Sequence, residues 1–138
     1  DDLSPNTNYI VITNPDNHLV PHYLEYLLKG FANDSIIATY CSQFVHGYES
    51  WQKTTIIKNN QKSYPHIDWE IYKYGIIDTR LELGYIDCAC VMLKKQYAVE
   101  SGWGDMSHSS DWSYFDRVIK KYGKHSWKLV RGCLLTHN

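Results

Sequence analysis

Residues 8–45 read NYIVITNPDNHLVPHYLEYLLKGFANDSIIATYCSQFV, and this stretch decides the fold class. The apolar run Asn8–Thr13 predicts a short buried strand, and Asn14–Asn17 after it is a typical turn sequence. A second apolar run, Ser35–Val45, predicts another strand. With a helix between the two strands, this spacing predicts a crossover unit in a partly parallel sheet, and therefore an α/β fold.

The segment between these strands has the pattern of an amphipathic helix. Pro21 suits the first helical position, and Gly30 marks the approximate end. Apolar residues recur at the spacing i, i+3, i+4 and i+7, which predicts a stripe that faces the core. The residues of this stripe are Leu24, Leu27, Leu28 and Phe31.

The second half of the chain adds further strands and helices. The predicted elements are a buried strand at Gly84–Leu93, a short helix at Lys94–Glu100 ended by Ser101 and Gly102, a longer helix capped by Ser109 or Ser110 and ended by Gly123, and a last strand at Ser126–Leu135. An apolar stripe on the longer helix comprises Trp112, Phe115, Ile119 and Tyr122. Residues 46–83 are assigned only in part, with a strand predicted at Trp51–Lys58 and a polar loop at Asn59–Pro65.

The overall composition indicates one ordinary globular domain over residues 1–138. Hydrophobic residues make up 43% of the chain, and the formal net charge is −1 from 14 basic and 15 acidic side chains. Nucleic-acid binders usually carry a basic excess, so we expect no nucleic-acid partner. No apolar run approaches the ~20 residues that span a bilayer, and the acidic, polar start at Asp1–Pro5 does not resemble a signal peptide.

The four cysteines, at 41, 88, 90 and 133, do not have the spacing of a zinc or redox motif. Cys88 and Cys90 are two residues apart in a strand-like run, so we expect their side chains to share one face. We interpret all four as reduced core or near-core residues, which suits a cytosolic compartment.

Three polar residues lie where the ends of apolar elements are predicted. Asp16 follows the first strand, His137 follows the last strand, and Asp111 opens the helix before that strand. Ligands of open α/β sheets gather at the carboxyl ends of strands, where a carboxylate and an imidazole together bind a divalent cation. A second carboxylate kept off the metal serves as a general base.

Each of these residues also has a purely structural interpretation. Asn-Pro-Asp-Asn is a good turn sequence on its own. Asp111 in the first turn of a helix interacts favourably with the helix dipole. His137 is the penultimate residue and fits a frayed end. Spacing alone does not decide between the two interpretations.

Four motifs follow one another in the second half of the chain. They are Ala89–Lys95 (ACVMLKK), the turn Ser101–Asp105 (SGWGD), the helix Ser110–Gly123 that opens with Ser-Asp, and the strand end Leu134–His137 (LLTH). This order resembles the second half of family-2-like glycosyltransferases with the GT-A fold, which are similar to enzymes of bacterial surface polysaccharides and of large algal viruses. The resemblance implies a Rossmann-like mixed sheet flanked by helices.

The first segment resembles the same family. A strand at Tyr9–Ile12, an Asp-x-Asp-type motif at Asn14–Asn17 and a proline at Pro21 follow the family's order. Two positions depart from it, because Asn14 replaces the first aspartate and Ser110 replaces the glutamate before the catalytic aspartate. The family also has an N-terminal nucleotide-binding half before this strand, so we expect a fragment of a larger GT-A domain.

The resemblance implies a chemical role for each candidate residue. Asp16 and His137, assisted by Asn14, would hold a divalent cation, Mn²⁺ or Mg²⁺, and imidazole favours Mn²⁺. Asp111 would be the general base of an inverting transfer from a nucleotide-diphosphate sugar, most simply a UDP-sugar, to a glycan or glycoprotein acceptor. A cytoplasmic location in a bacterium or a virus-infected host cell is the matching expectation.

Further side chains are candidates for substrate contact. Trp103 and Trp112 could stack on sugar rings, although core packing is the alternative for both and is favoured for Trp112. Asp105 could bind a sugar hydroxyl. Arg80 and Arg131 are candidates for phosphate contact, with solvent-exposed arginine as the alternative.

Three rival functions remain open from the sequence. One is a non-catalytic domain that binds sugars or nucleotide sugars and keeps the GT-A fold, which the changes at Asn14 and Ser110 allow. Another is a nucleotidyltransferase, against which stands the lack of a glycine-rich basic loop near the start of the sequence. The third is an interaction domain without a small ligand, which predicts no metal-dependent change in stability.

Overall fold

The computed structural model describes residues 6–15, 17–45, 76–77, 79–103 and 110–137, with the backbone alone at 44–45, 76–77 and 136–137. The chain is a mixed α/β structure, so the coarse fold class predicted from sequence is confirmed. The strands are β1 (Tyr9–Val11), β2 (His18–Leu19), β3 (Ala38–Val45), β4 (Ile76–Ile77), β5 (Val91–Lys94) and β6 (Trp127–His137). The helices are α1 (Tyr23–Lys29), α2 (Lys95–Ser101) and α3 (Ser110–Tyr122), with 3₁₀ turns at Cys88–Cys90 and Lys124–Ser126.

The strands form one mixed sheet in the order β1-β5-β3-β6-β2. β3 and β6 are parallel, whereas β1 with β5, β5 with β3, and β2 with β6 are antiparallel. β4 pairs with Gln43 and Phe44 of β3, whereas β5 pairs with residues 38–40 of the same strand. β1 therefore runs parallel to β3 with β5 between them, which agrees with the predicted crossover and partly parallel sheet.

Helix α1 packs on one face of the sheet through Tyr23 and Leu27, which are buried. The Thr39 hydroxyl of β3 donates a hydrogen bond to the Leu27 carbonyl at 2.9 Å. Gly30 allows this close approach, because a Cβ at that position would lie 2.5 Å from Thr39 Cγ2. The predicted stripe is wrong in part, since Leu24 (55% exposed) and Leu28 (42%) lie on an outer flank of the helix.

Helix α3 packs on the opposite face. Neighbouring residues of a strand face opposite sides of the sheet, so Ala38 faces away from Thr39 and from α1. Trp127 is the register partner of Ala38 and lies on the same side as Ala38. The Trp127 ring meets the Phe115 ring of α3 edge to face, with centroids 5.6 Å apart. Val118 and Ile119 complete the buried face of α3, so the core lies between the sheet and the helices on both sides.

Three expectations about the strands need correction. Among the described strands, β1 lies at one edge of the sheet and pairs with β5 alone, so Tyr9 and the following Ile12 are exposed rather than buried as predicted. The predicted strand at 84–93 is regular only from Val91, since a 3₁₀ turn precedes it and Cys88 and Cys90 do not alternate as in a strand. His137 is the last residue of β6 rather than the residue after the strand. The predicted strand at 51–58 and loop at 59–65 lie outside the described residues.

The four cysteines are free thiols. No helix within the described ranges is long and apolar enough to cross a membrane.

Candidate functional site

The carboxyl ends of β3 and β6 lie side by side, and they define the candidate site. Val45, the last residue of β3, is the register partner of His137. On the other edge of β6, Thr136 pairs with His18 at the start of β2. The turn before β2 is closed by a hydrogen bond from the Asn17 amide to the Asn14 carbonyl at 3.2 Å. The backbone thus brings Asn14 and its turn next to the end of β6, although Asp16 and the His137 side chain lie outside the described residues.

Asp111 lies in the first turn of α3 and is partly exposed. One oxygen of its carboxylate accepts a hydrogen bond from the Trp112 amide at 2.8 Å. The carboxylate also lies close enough to Cys88 to act on its thiol. Burial, and to a smaller extent the negative charges of Asp87 and Asp111, raise the pKa of Cys88 to about 12. The charges of Asp111 and Asp87 therefore act on the same thiol.

Asp87 is a further candidate residue that the sequence motifs do not include. Its carboxylate accepts a hydrogen bond from the Ala89 amide at 2.9 Å and so caps the 3₁₀ turn. The Tyr23 hydroxyl of α1 donates to the Ala89 carbonyl and ties the turn to the core. Tyr40 pairs with Val91, so the residues before Val91 lie toward the carboxyl end of β3. The one available signal was a single carboxylate within the apolar run GYIDCACVML.

The thiols of Cys41 and Cys90 are buried, and burial makes them poor nucleophiles. Burial raises the pKa of Cys41 to about 12 and also raises the pKa of Cys90. The Thr79 hydroxyl lies beside the Cys90 thiol and lowers its pKa by a smaller amount, although no hydrogen bond of ordinary geometry joins the two groups. Because the thiolate is the nucleophilic form, neither cysteine is suited to catalysis at neutral pH.

Both candidate tryptophans are partly buried and pack against the hydrophobic core. The Trp103 ring stacks on the Tyr114 ring, with centroids 4.9 Å apart. The Arg117 guanidinium donates to the Gly102 carbonyl at 2.6 Å and to the Trp103 carbonyl, which fixes the chain after α2. These contacts describe a structural role for both rings, and sugar stacking stays a prediction.

The remaining candidates from the sequence are two arginines and one aspartate. Arg80 lies over the Tyr85 ring, with the guanidinium carbon 5.0 Å from the centroid. Arg131 is exposed on β6. Asp105 lies outside the described residues.

Within the part of the chain that the structure describes, no group of three or more His, Cys, Asp or Glu side chains is arranged to hold a metal. Because two of the three predicted ligands fall outside that part, the metal site stays a prediction. No protein-family model matches the sequence, and no curated protein matches it either. The case for a function rests on the residues themselves.

Proposed function

We propose that this chain carries the catalytic end of a metal-dependent, inverting glycosyltransferase that uses a nucleotide-diphosphate sugar. The observation that carries the proposal is the register of β6, in which Val45 and His18 flank the last two residues of the strand. These pairs put the turn that begins at Asn14 on the same side of the sheet as the backbone of His137, although the two residues are 123 positions apart in sequence (137 − 14 = 123). Ligands of α/β sheets bind at the carboxyl ends of strands.

The donor set at this end suits a divalent cation. Asp16 would supply a carboxylate oxygen, His137 an imidazole nitrogen and Asn14 an amide oxygen, a mixed set that favours Mn²⁺ over Mg²⁺. A bound cation supplies charge neutralisation for the departing nucleoside diphosphate. Two antiparallel residue pairs join β2 to β6, and they fix the position of the turn before β2 relative to the end of β6.

Asp111 has the attributes of a general base. Its carboxylate is partly exposed in the first turn of α3, so an acceptor hydroxyl can reach it. In the proposed step, the acceptor oxygen forms a bond to the anomeric carbon while the bond from that carbon to the phosphate oxygen breaks. The acceptor proton passes to Asp111, and the nucleoside diphosphate leaves with the bonding electrons. Attack opposite the leaving group inverts the configuration.

A non-catalytic domain that binds nucleotide sugars is the alternative. Asn14 is neutral where a second carboxylate ligand would stand, and Ser110 replaces the carboxylate before Asp111. Both changes weaken the case for catalysis and leave the case for ligand binding intact.

Release of UDP from UDP-sugars tests the proposal. The purified chain would be incubated with Mn²⁺ and UDP-glucose, UDP-galactose or UDP-N-acetylglucosamine, with water in place of the unidentified acceptor, and the free UDP and free sugar formed by hydrolysis would be measured. Mn²⁺-dependent release that the Asp111→Asn variant lacks supports the glycosyltransferase. Binding of a UDP-sugar without release supports the binding domain, and the absence of both contradicts the two functions together.

A further inference from the structure

Positive charge is concentrated in the last part of the chain. Residues 117–138 contain 6 of the 14 Lys and Arg side chains and no Asp or Glu, which gives them a formal charge of +6 with His neutral. Residues 1–116 contain the other 8 basic side chains (14 − 6 = 8) and all 15 acidic ones, a formal charge of −7 (8 − 15 = −7). This asymmetry indicates an anionic partner for the basic part.

Three of these six cations have a structural explanation. The Arg117 guanidinium donates to two backbone carbonyls just after α2. Lys120 and Lys121 lie in the last turn of α3, where a cation interacts favourably with the helix dipole. Their ammonium nitrogens also lie 2.5 and 3.9 Å from carboxylate oxygens. These three side chains are therefore engaged within the fold.

The other three cations are exposed, and we call them the basic edge: Lys124, Lys128 and Arg131. Among the residues that the structure describes, no carboxylate forms an ion pair with any of them. Lys124 begins the 3₁₀ turn before β6, whereas Lys128 and Arg131 belong to β6 itself. On the side of β6 away from β3, the only described strand is β2, which bonds to β6 from Leu134 onward. Residues 127–133 therefore lie at an edge of the described sheet.

The backbone keeps the three charges near one another. A strand rises about 3.3 Å per residue, so the Cα atoms of Lys128 and Arg131 are at most about 10 Å apart. Arg131 lies on a bulge, because residues 130–132 of β6 stand opposite Cys41 alone on β3. Between the two cations, Leu129 is 41% exposed. An apolar side chain therefore stands among charges whose spacing is close to the ~8 Å Debye length at physiological salt.

We propose that the basic edge and Leu129 bind the surface of a membrane that contains anionic lipids. Lys and Arg side chains are attracted by anionic headgroups, and an exposed leucine can enter the boundary between the headgroups and the acyl chains. RNA would attract the same cations, but its bases stack on aromatic side chains rather than on leucine. The combination of cations with Leu129 therefore favours a membrane surface. The inference is independent of the glycosyltransferase function proposed above.

Co-sedimentation with lipid vesicles tests the basic edge. Vesicles of phosphatidylcholine mixed with phosphatidylserine should bind the chain at low salt, vesicles of phosphatidylcholine alone should not, and high salt should release the bound chain. Lys128→Gln/Arg131→Gln should partition about 25-fold more weakly, since each cation near an anionic surface contributes roughly fivefold. Lys95→Gln/Arg80→Gln is the matched control, because it removes one Lys and one Arg outside the basic edge, and it should bind as the wild type does. Equal weakening of the two double variants would overturn the assignment to this edge.

Leu129→Ala separates a membrane from a polyanion. It leaves the charge unchanged and removes carbons that would enter the membrane, so vesicle binding should weaken several-fold. Unchanged vesicle binding by Leu129→Ala, together with tighter binding of single-stranded RNA than of vesicles, would mean that the edge binds nucleic acid, and the proposal would be wrong. It would also be wrong if the wild type binds no anionic vesicle at low salt. The cations would then serve only to keep an open strand edge from pairing with other chains.

Discussion

Val45 and His137 are register partners at the ends of the parallel strands β3 and β6. The pairing sets the penultimate residue of the chain beside the end of a strand 92 positions earlier in the sequence (137 − 45 = 92). On the other edge of β6, the pairing of His18 with Thr136 adds the turn that contains Asn14. One end of the sheet therefore brings together the backbone of two of these motifs, the turn that begins at Asn14 and the strand end at His137.

Asp111→Asn should abolish transfer while leaving donor binding intact. The amide keeps the shape and its bond from the Trp112 amide but cannot take a proton, so kcat should fall about 100- to 10,000-fold. KM for the donor should change less than threefold. Steady-state kinetics of UDP release from the preferred UDP-sugar would measure both constants.

Asp116→Asn on the same helix is the control for that variant. Its carboxylate pairs with Lys120 at 2.5 Å on the exposed side, where an ion pair contributes little. Its kcat should match the wild type. Equal kcat values for Asp111→Asn and the wild type would remove the general base from the account.

Alkylation of Cys88 should report the two carboxylates beside it. Burial, Asp87 and Asp111 together raise the pKa of the thiol to about 12, so little thiolate forms at pH 9. Asp111→Asn removes one negative charge, which should lower the pKa and speed reaction with iodoacetamide at Cys88. Peptide mass spectrometry would follow Cys88 separately from the exposed Cys133. An unchanged Cys88 rate with Asp111→Asn would mean that the two side chains are not close neighbours.

The folded chain should lose stability in alkaline solution. Burial raises the pKa of Cys41 from 9.0 to about 12, so its contribution is fully present below pH 9 and is lost as the pH rises toward 12. The slope is about 1.4 kcal/mol per pH unit for each thiol that ionises only on unfolding. Urea unfolding at several pH values should show a shallower decline for Cys41→Ala than for Cys133→Ala. Identical slopes would contradict burial of the Cys41 thiol.

Gly30→Ala should destabilise the chain although alanine favours helices. The added Cβ would lie 2.5 Å from Thr39 Cγ2 and 2.8 Å from Val130 Cγ2, and overpacking of this kind costs about 1–3 kcal/mol. Thr39→Ser removes the nearer methyl and keeps the hydroxyl that bonds to Leu27. In a double-mutant cycle measured by urea unfolding, Thr39→Ser should recover part of the loss. Simple additivity would show that α1 does not approach β3 so closely.

Local patterns predicted most of the regular structure. Apolar runs indicated β3 and β6, helical spacing indicated α3, and Gly123 indicated the end of α3. The 3₁₀ turn at Cys88–Cys90 could not be predicted in this way, because an apolar run with one aspartate also fits a strand. Hydrogen bonds from the Ala89 amide to the Asp87 carboxylate and from the Cys90 amide to the Asp87 carbonyl distinguish the turn from a strand.

Features that depend on distant packing escaped the sequence analysis. The buried face of α1 is set by the approach of Gly30 to Thr39 rather than by the leucine spacing, so Leu24 and Leu28 were assigned to the wrong side. The candidate residues at Asn14 and Asp111 could be named from motifs. Asp87 could not, because its significance depends on the sheet register and on the turn that its carboxylate caps.

Thermal unfolding with Mn²⁺ and nucleoside diphosphates tests the central claim most directly. UDP should raise the midpoint of the wild type only when Mn²⁺ is present, by the equivalent of about 2.7 kcal/mol at 100 times the dissociation constant. Asp16→Ala should lose that rise. Asp34→Ala, an exposed aspartate before the amino end of β3, should keep it. A midpoint that neither Mn²⁺ nor any nucleotide shifts, or a rise that Asp16→Ala retains in full, would contradict a metal–diphosphate site at this end of the sheet.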